Sequence, residues 1–192
     1  MPEEYAIVLD FLARGKSDSF KSEPLAQVIG TSEFSLLEVV PKEGISLSIG
    51  EKIYVGQGER EKIDHIKKRI SFKELTSTAV SELNKAIELI VLVQKEKFLG
   101  FYNTSRAITI KRHQLELLPG IGKKHVKDLL DARNKAKFES FEDIAKRVKL
   151  VPNPVSTIVK RIIYEVEGME IKHYLFARPP FALKQDFQKK NY

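Results

Sequence analysis

The residues whose types and spacing best suit chemistry lie together in the stretch LLPGIGKKHV, residues 117–126. Gly120 and Gly122 follow a proline there, and the paired lysines Lys123 and Lys124 come directly after them. Because glycine has no side chain, a phosphate group can come close to the main chain at these positions. If a helix begins after Gly122, its first amide N–H groups point outward with the positive end of the helix dipole. The stretch therefore predicts a site for phosphate groups.

The basic charge of the chain is concentrated around this stretch. The 192-residue protein has a net charge of +7, yet residues 1–105 hold 14 Lys+Arg against 16 Asp+Glu. Residues 106–161 hold 14 against 6, a net charge of +8. Such a block marks either a solvated face or a surface for an anionic partner, and nucleic acid is the commonest such partner. We therefore expect Lys127 and Arg112 to join the paired lysines in neutralising phosphates.

Composition excludes several other kinds of site. The chain has no cysteine, which rules out disulfides and thiolate metal sites. No two of its four histidines have the one-turn spacing of a helical metal site, so we expect neither a metal nor another cofactor. The N-terminus, MPEEYAIVLDFL, is acidic where a secretory signal is basic, and no stretch is apolar enough to span a membrane. These features predict a cytoplasmic protein without membrane contact.

The first part of the chain reads as short strands separated by turns. The candidate strands are YAIVLDFL, FSLLEVV, EKIYVG and DHIKKRISF, all rich in β-favouring or alternating apolar residues. Strands of this length and spacing predict a small barrel or meander. Periodicity leaves open a mixed sheet of another kind.

A helix is predicted next, from Ser77 to Lys97. Apolar residues recur there at helical spacing, and Thr76, Ser77 or Thr78 can cap its start. The following FLGFYNTS, with glycine, asparagine and serine, is interpreted as a joint. Together with the change in charge, it predicts a domain boundary near residues 100–105.

The glycine stretch is predicted to join two helices. The first runs from Thr109, as a threonine cap, to Leu118, and the second begins after Gly122 with Val126, Leu129 and Leu130 on its buried face. This arrangement resembles the helix-hairpin-helix motif, which grips the sugar-phosphate backbone without reading bases. The resemblance implies that Ile121 lies between the two helices. The sequence departs from the motif at Val126, where a smaller alanine is usual. The alternative is that the PGIG turn simply joins two packed helices.

A shift of 33 residues places LLPGIGKKHVKDLL over LVPNPVSTIVKRII and keeps the apolar positions in step. Both glycines are replaced, Gly120 by Asn153 and Gly122 by Val155. Paired hairpins of this kind, joined here by the predicted helix SFEDIAKRV, resemble the tandem helix-hairpin-helix domain. In that arrangement the second copy is mainly structural. Chance overlap of apolar positions is the alternative.

The likeness extends beyond the motif. Together with IGEKIYVGQGEREKIDHIKKRI and ELTSTAVSELNKAIELIV, the hairpin makes nearly the whole chain similar to an uncharacterised archaeal family predicted to bind nucleic acid. The resemblance implies an α+β protein: a small OB-like β-barrel in residues 1–75, a linking amphipathic helix and joint in 76–105, a tandem helix-hairpin-helix domain in 106–168 and a C-terminal tail in 169–192. It favours RNA over DNA as partner, with a ribonucleoprotein or other larger assembly as a possible setting.

OB folds commonly stack bases on aromatic side chains. The aromatic residues of the sheet region are Tyr5, Phe34, Tyr54 and Phe72, most of which fit a core better than a stacking surface.

An enzyme acting on nucleic acid is the alternative, because glycosylases and nucleases also carry such hairpins. Asp143 and Lys146 are the residues that a glycosylase mechanism would use. The sequence offers neither a metal-ligand cluster nor a nucleophile with a partner base, and Asp143 fits the first turn of a helix equally well. The sequence therefore favours a binding protein without catalytic residues.

Overall fold

The computed structural model describes residues 3–15, 23–168 and 171–179. These residues divide into two compact units. Unit 1 takes the described residues of Met1–Ala86 and Ile163–Tyr192, and unit 2 is Ile87–Ile162. The α+β class is confirmed. None of the helices in the described ranges combines the length and the apolar character needed to cross a membrane.

Unit 1 is built on five antiparallel strands that curl into a half-barrel. The sheet order is β4-β1-β2-β3-β5, with β1 as Tyr5–Leu12, β2 as Leu25–Gly30, β3 as Leu36–Pro41, β4 as Lys52–Tyr54 and β5 as Ile63–Arg69. Aliphatic side chains from all five strands form one cluster that includes Val8, Val28, Val39, Ile53 and Ile63. The prediction of short strands that form a small β-sheet is therefore confirmed, and the sheet is a half-barrel.

Strand β2, with the sequence LAQVIG, was not predicted. Every residue of β2 is buried, so the strand lacks the alternation of apolar and polar residues that marks a half-exposed strand. Its one polar residue, Gln27, can be buried because the nitrogen and the oxygen of its side-chain amide are both hydrogen-bonded. Its Nε2 donates to the carbonyl of Glu74 at 2.9 Å, and its Oε1 accepts from the amide of Thr76 at 2.8 Å.

Helix α1, Ser77–Val93, begins where the sequence predicts. The Oγ1 of Thr76 accepts a hydrogen bond from the amide of Ala79 at 3.1 Å, which identifies Thr76 as the cap. The prediction of one helix as far as Lys97 was wrong, because α1 ends at Val93 and a second helix starts two residues later.

That second helix, α2, spans Lys95–Thr104 and includes most of the segment predicted as a joint. The buried residues Phe98 and Tyr102 lie four positions apart and so share one face of the helix. The hydroxyl of Tyr102 lies 2.8 Å from Oγ1 of Thr157. A buried aromatic face therefore overrides the glycine and asparagine that suggested a loop.

The predicted helix from Thr109 to Leu118 was also wrong. The chain forms a short antiparallel hairpin, β6 (Ala107–Thr109) with β7 (Arg112–His113), followed by the 3₁₀ helix Gln114–Leu117. The run Ile108, Thr109, Ile110 is β-branched throughout and favours strands. The 3₁₀ helix is capped by His113, whose Nδ1 accepts from the amide of Leu115 at 3.1 Å.

Three further α-helices follow the hairpin: α3 (Lys123–Lys135), α4 (Phe141–Arg147) and α5 (Pro154–Glu167). A short 3₁₀ helix, Phe72–Glu74, precedes α1. After α5, residues 175–177 are bound to the buried carboxylate of Glu165, which accepts their three amide hydrogen bonds at 2.7–2.9 Å. Residues 169–170 and 180–192 of the predicted tail lie outside the described residues. The functional division at residues 75, 105 and 168 stays a prediction.

Candidate nucleic-acid interface

The glycine turn, residues 118–122, connects the 3₁₀ helix to α3. The amide of Ile121 donates to the carbonyl of Leu118 at 3.1 Å, and the amide of Val126 donates to the carbonyl of Gly122 at 3.0 Å. The side chain of Ile121 is 5% exposed, so it packs inside unit 2. Only the main chain of Ile121 can therefore contact a partner.

The two glycines are required for different reasons. Gly120 has a φ of +82°, and a Cβ built there lies 3.1 Å from Cγ of Pro152. Gly122 has an extended backbone, with φ −93° and ψ 176°, which any residue can adopt. The backbone angle therefore favours glycine at position 120 and not at position 122. Apart from Gly122 itself and its two neighbours in the chain, no residue of the described chain has an atom within 4 Å of a Cβ built at Gly122.

This difference predicts opposite sensitivities to alanine. We expect Gly120→Ala to lower the free energy of unfolding by about 1 to 3 kcal/mol, because of the left-handed backbone and the contact with Pro152. Gly122→Ala should cost less than about 1 kcal/mol, since only its weak capping role is lost. Urea unfolding followed by circular dichroism measures both values. A larger loss for Gly122→Ala would contradict the structure.

The N-terminus of α3 is open and positively charged. Within the described chain, no side chain caps the helix at Gly122 and no acidic residue lies in its first turn. The amides of that turn have no intrahelical acceptors and carry the positive end of the dipole. Lys123 and Lys124 are exposed beside them, and Lys127 is exposed one turn later. The arrangement can hold an anion through amides and ammonium groups together.

The corresponding end of α5 is closed. The Oδ1 of Asn153 accepts from the amide of Ser156 at 2.9 Å, and Pro154, the first residue of the helix, has no amide hydrogen. At two first-turn positions of α5, Pro154 and Ser156, the second copy therefore has no free amide, whereas no side chain caps the start of α3.

The helical part of the predicted repeat is present, but the two turns differ. Buried apolar residues at equivalent positions are Val126 with Val159 and Leu129 with Ile162. The pair Leu117 and Leu150 does not match, because Leu117 is buried whereas Leu150 is 88% exposed with a φ of +60°. The first turn has its positive φ after the proline, at Gly120, and the second has it before the proline, at Leu150.

A structural role for the second copy predicts that Val159→Ala destabilises the protein. Val159 is 4% exposed, so the change removes two buried methyl groups and leaves a cavity. We expect a loss of about 2 kcal/mol in the free energy of unfolding. Affinity for nucleic acid, measured well below the melting temperature, should stay within twofold of the original. An unchanged stability would mean that α5 is not part of the core of unit 2.

Arg112, the remaining predicted site residue, lies on β7 and is exposed. The hairpin that carries it was missed, although the β-branched run from Ile108 to Ile110 signals it. Other arginines of the basic block are used inside unit 2. Arg133 donates to the carbonyl of Ser105 at 2.9 Å, and the buried Arg161 donates to the carbonyl of Leu117 at 3.2 Å. The exposed charge therefore comes mainly from lysines and the hairpin.

Comparisons with known proteins agree with the archaeal likeness. A family model described as "Protein of unknown function (DUF655)" matches residues 2–178. The chain belongs to this family. "Uncharacterized protein MJ0038" of Methanocaldococcus jannaschii is 41% identical over 177 residues, which is 92% of this chain and 80% of that protein. The crystal structure of Af1531 from Archaeoglobus fulgidus, a DUF655 protein, has a TM-score of 0.86 and 43% identity and covers 92% of this chain and 100% of its own.

The candidate catalytic residue Asp143 is already engaged in this DUF655 chain. Its Oδ2 lies 2.9 Å from Nη1 of Arg147 and accepts from the amide of Glu139 at 3.2 Å. The hydrogen bond from Arg147 lowers the pKa of the Asp143 carboxyl below its usual value. Asp143 lies in the first turn of α4, and Lys146 is exposed on the same helix. Among the described residues, no group of three or more histidine, aspartate or glutamate side chains could hold a metal ion.

The sheet of this DUF655 chain offers a second, smaller candidate surface. Tyr5 is 40% exposed, with the ammonium of Lys52 at 4.1 Å from its ring centre and the Tyr54 ring packed edge-on at 5.4 Å. Phe34 is buried, as expected for a core residue. Phe72 is half-buried and lines a cleft of about 620 Å³ in unit 1.

Proposed function

We propose that this protein binds the sugar-phosphate backbone of nucleic acid through a helix-hairpin-helix formed by the 3₁₀ helix Gln114–Leu117, the glycine turn and α3. One observation carries the proposal: the space in front of Gly122 is empty, and the uncapped start of α3 faces it between exposed lysines. Neither the backbone angles nor the packing of the described chain requires glycine at position 122, where it is a weak N-cap. The absence of a side chain there leaves room for a phosphate to approach the first-turn amides.

The same chemistry explains why the binding should not depend on base sequence. Backbone amides and lysine ammonium groups contact phosphates, which are alike at every nucleotide. The closed end of α5 supports a structural role for the second hairpin in a tandem domain. The five-stranded half-barrel supports an OB-like first domain. Together with the family resemblance, that domain favours RNA over DNA.

Fluorescence anisotropy with labelled RNA and DNA duplexes of unrelated sequence tests this function. We expect affinity to fall as salt rises from about 50 to 200 mM, with a log-log slope of roughly −0.7 to −0.9 per phosphate contacted. Affinities for unrelated sequences of one duplex type should agree within threefold. Binding that is independent of salt, or confined to one sequence, would contradict the proposal.

The proposal is of a binding protein rather than an enzyme, because the carboxylate of Asp143 is held by Arg147 and Glu139. Incubation with plain and abasic-site substrates, with and without magnesium, separates the two classes. We expect all substrates to remain intact. Cleavage that is lost in Asp143→Asn or Lys146→Ala would establish the glycosylase or nuclease alternative.

A further inference from the structure

The tip of the β6–β7 hairpin exposes an aliphatic side chain among cations. Ile110 has a relative exposure of 105% and occupies the turn together with Lys111. A single exposed apolar residue is common on protein surfaces and means little by itself. Ile110 differs from such a residue in two ways: hydrogen bonds hold the hairpin that carries it, and the side chains around it are cationic.

The hairpin is held at its base and at its turn. The amide of Arg106 donates to Oε1 of Gln114 at 2.7 Å, and the amide of Gln114 donates back to the carbonyl of Arg106 at 2.9 Å. At the turn, the amide of Lys111 donates to Oγ1 of Thr109 at 3.3 Å. Below the base, Arg133 donates to both the hydroxyl and the carbonyl of Ser105 at 3.0 and 2.9 Å. Ile110 is thus presented on a supported projection.

The hairpin is also cationic. Arg106, Lys111 and Arg112 are exposed, and none of them takes part in an ion pair with a described acidic residue. No aspartate or glutamate occurs between residues 97 and 115. Cations of this kind attract phosphates, and an apolar side chain between them can enter the base stack. Proteins that deform duplexes combine the same two elements.

We propose that Ile110 inserts as a wedge beside an unpaired or mismatched nucleotide of a duplex, while Arg106, Lys111 and Arg112 hold the flanking phosphates. The inference rests on the proposed function and adds the class of nucleic acid that is preferred: a duplex with a local defect. Separating stacked bases costs free energy, and it costs least where a base is mismatched or unpaired. One isoleucine therefore acts at a defect rather than in a regular duplex.

The test compares two RNA duplexes that differ by a single-nucleotide bulge, each with 2-aminopurine beside that position. A matched DNA pair forms a second arm and shows whether the sugar matters. We expect the full-length protein to bind the bulged duplex at least about tenfold more tightly and to raise 2-aminopurine fluorescence there. Ile110→Ala should abolish both the preference and the fluorescence rise, with affinity for the regular duplex within twofold of the original. Ile110→Leu should keep both.

Leu150→Ala is the matched control, because Leu150 is also an exposed aliphatic residue in a turn of unit 2. It should change neither quantity. Equal binding of the two duplexes by the original protein, or an Ile110→Ala variant that keeps preference and fluorescence rise, would overturn the wedge. Salt-dependent binding in that case would leave the proposed function standing. No binding to any duplex would overturn both.

Discussion

The Gly122→Asp variant should bind duplex nucleic acid roughly 10- to 100-fold more weakly than the original protein and yet be more stable. The extended backbone of Gly122, with φ −93° and ψ 176°, suits an N-cap aspartate. Its carboxylate would accept hydrogen bonds from the first-turn amides of α3 and occupy the space proposed for a phosphate. Capping and the helix dipole should together raise the free energy of unfolding by about 0.3 to 1 kcal/mol.

The loss of affinity follows from charge and from occupied amides. A carboxylate about 4 Å from a phosphate costs roughly 1 kcal/mol in water and about 4 kcal/mol at the effective dielectric of a protein surface. A repulsion of about 1.4 to 2.8 kcal/mol lies between these limits and lowers the affinity roughly 10- to 100-fold, since about 1.4 kcal/mol corresponds to tenfold. Anisotropy titrations give the affinity, and urea unfolding gives the stability. The opposite signs of the two effects exclude misfolding as the cause of weak binding.

Two variants separate the causes of this loss. Gly122→Asn caps the helix without adding charge, so its affinity should lie between those of the original protein and Gly122→Asp. Asn153→Asp places the same carboxylate at the start of α5, which is already capped. Asn153→Asp should bind within threefold of the original. If Asn153→Asp instead weakens binding most, the second hairpin and not the first grips the phosphate.

The double variant Lys123→Ala and Lys124→Ala should flatten the salt dependence by roughly one to two units of log-log slope. Both lysines are exposed beside the open start of α3. A slope near −0.9 per contact means that each contact adds about tenfold to the affinity at 0.1 M salt relative to 1 M salt. Loss of two contacts should therefore weaken binding by up to roughly a hundredfold. The loss should be equal across unrelated sequences, because phosphates carry no base identity.

Lys135 and Lys137 provide the control for this double variant. Both are exposed, and both lie at or just beyond the C-terminal end of α3, roughly 18 Å from its start by the rise of a helix. Replacing them with alanine removes the same net charge. That variant should change the slope by less than half as much. Equal effects of the two double variants would mean that net charge, and not the hairpin, sets the affinity.

The sequence predicted correctly those features that depend on contacts between residues close together in the chain. Thr76, one of the three predicted candidates, caps α1, because capping needs only a side chain and an amide three residues away. Ile121 is buried in the turn as expected. The β6–β7 hairpin was missed although a local signal, the β-branched run of residues 108–110, was present. Two other errors occurred where distant contacts decide. Segment FLGFYNTS is helical because Phe98 and Tyr102 find buried partners, and LAQVIG is a strand that is buried throughout.

The sequence by itself determined where the basic charge lies, that a PGIG turn precedes a helix, and that no cysteine chemistry is available. These depend on residue identity and on spacing of a few positions. Only the tertiary structure separated the roles of the two glycines: Gly120 is needed for a positive φ beside Pro152, and Gly122 faces open space. It also showed that Asn153 closes the start of α5 while the start of α3 stays open. The physical reason is that backbone angles and empty space at one turn depend on packing against residues some 30 positions away, which spacing along the chain does not encode.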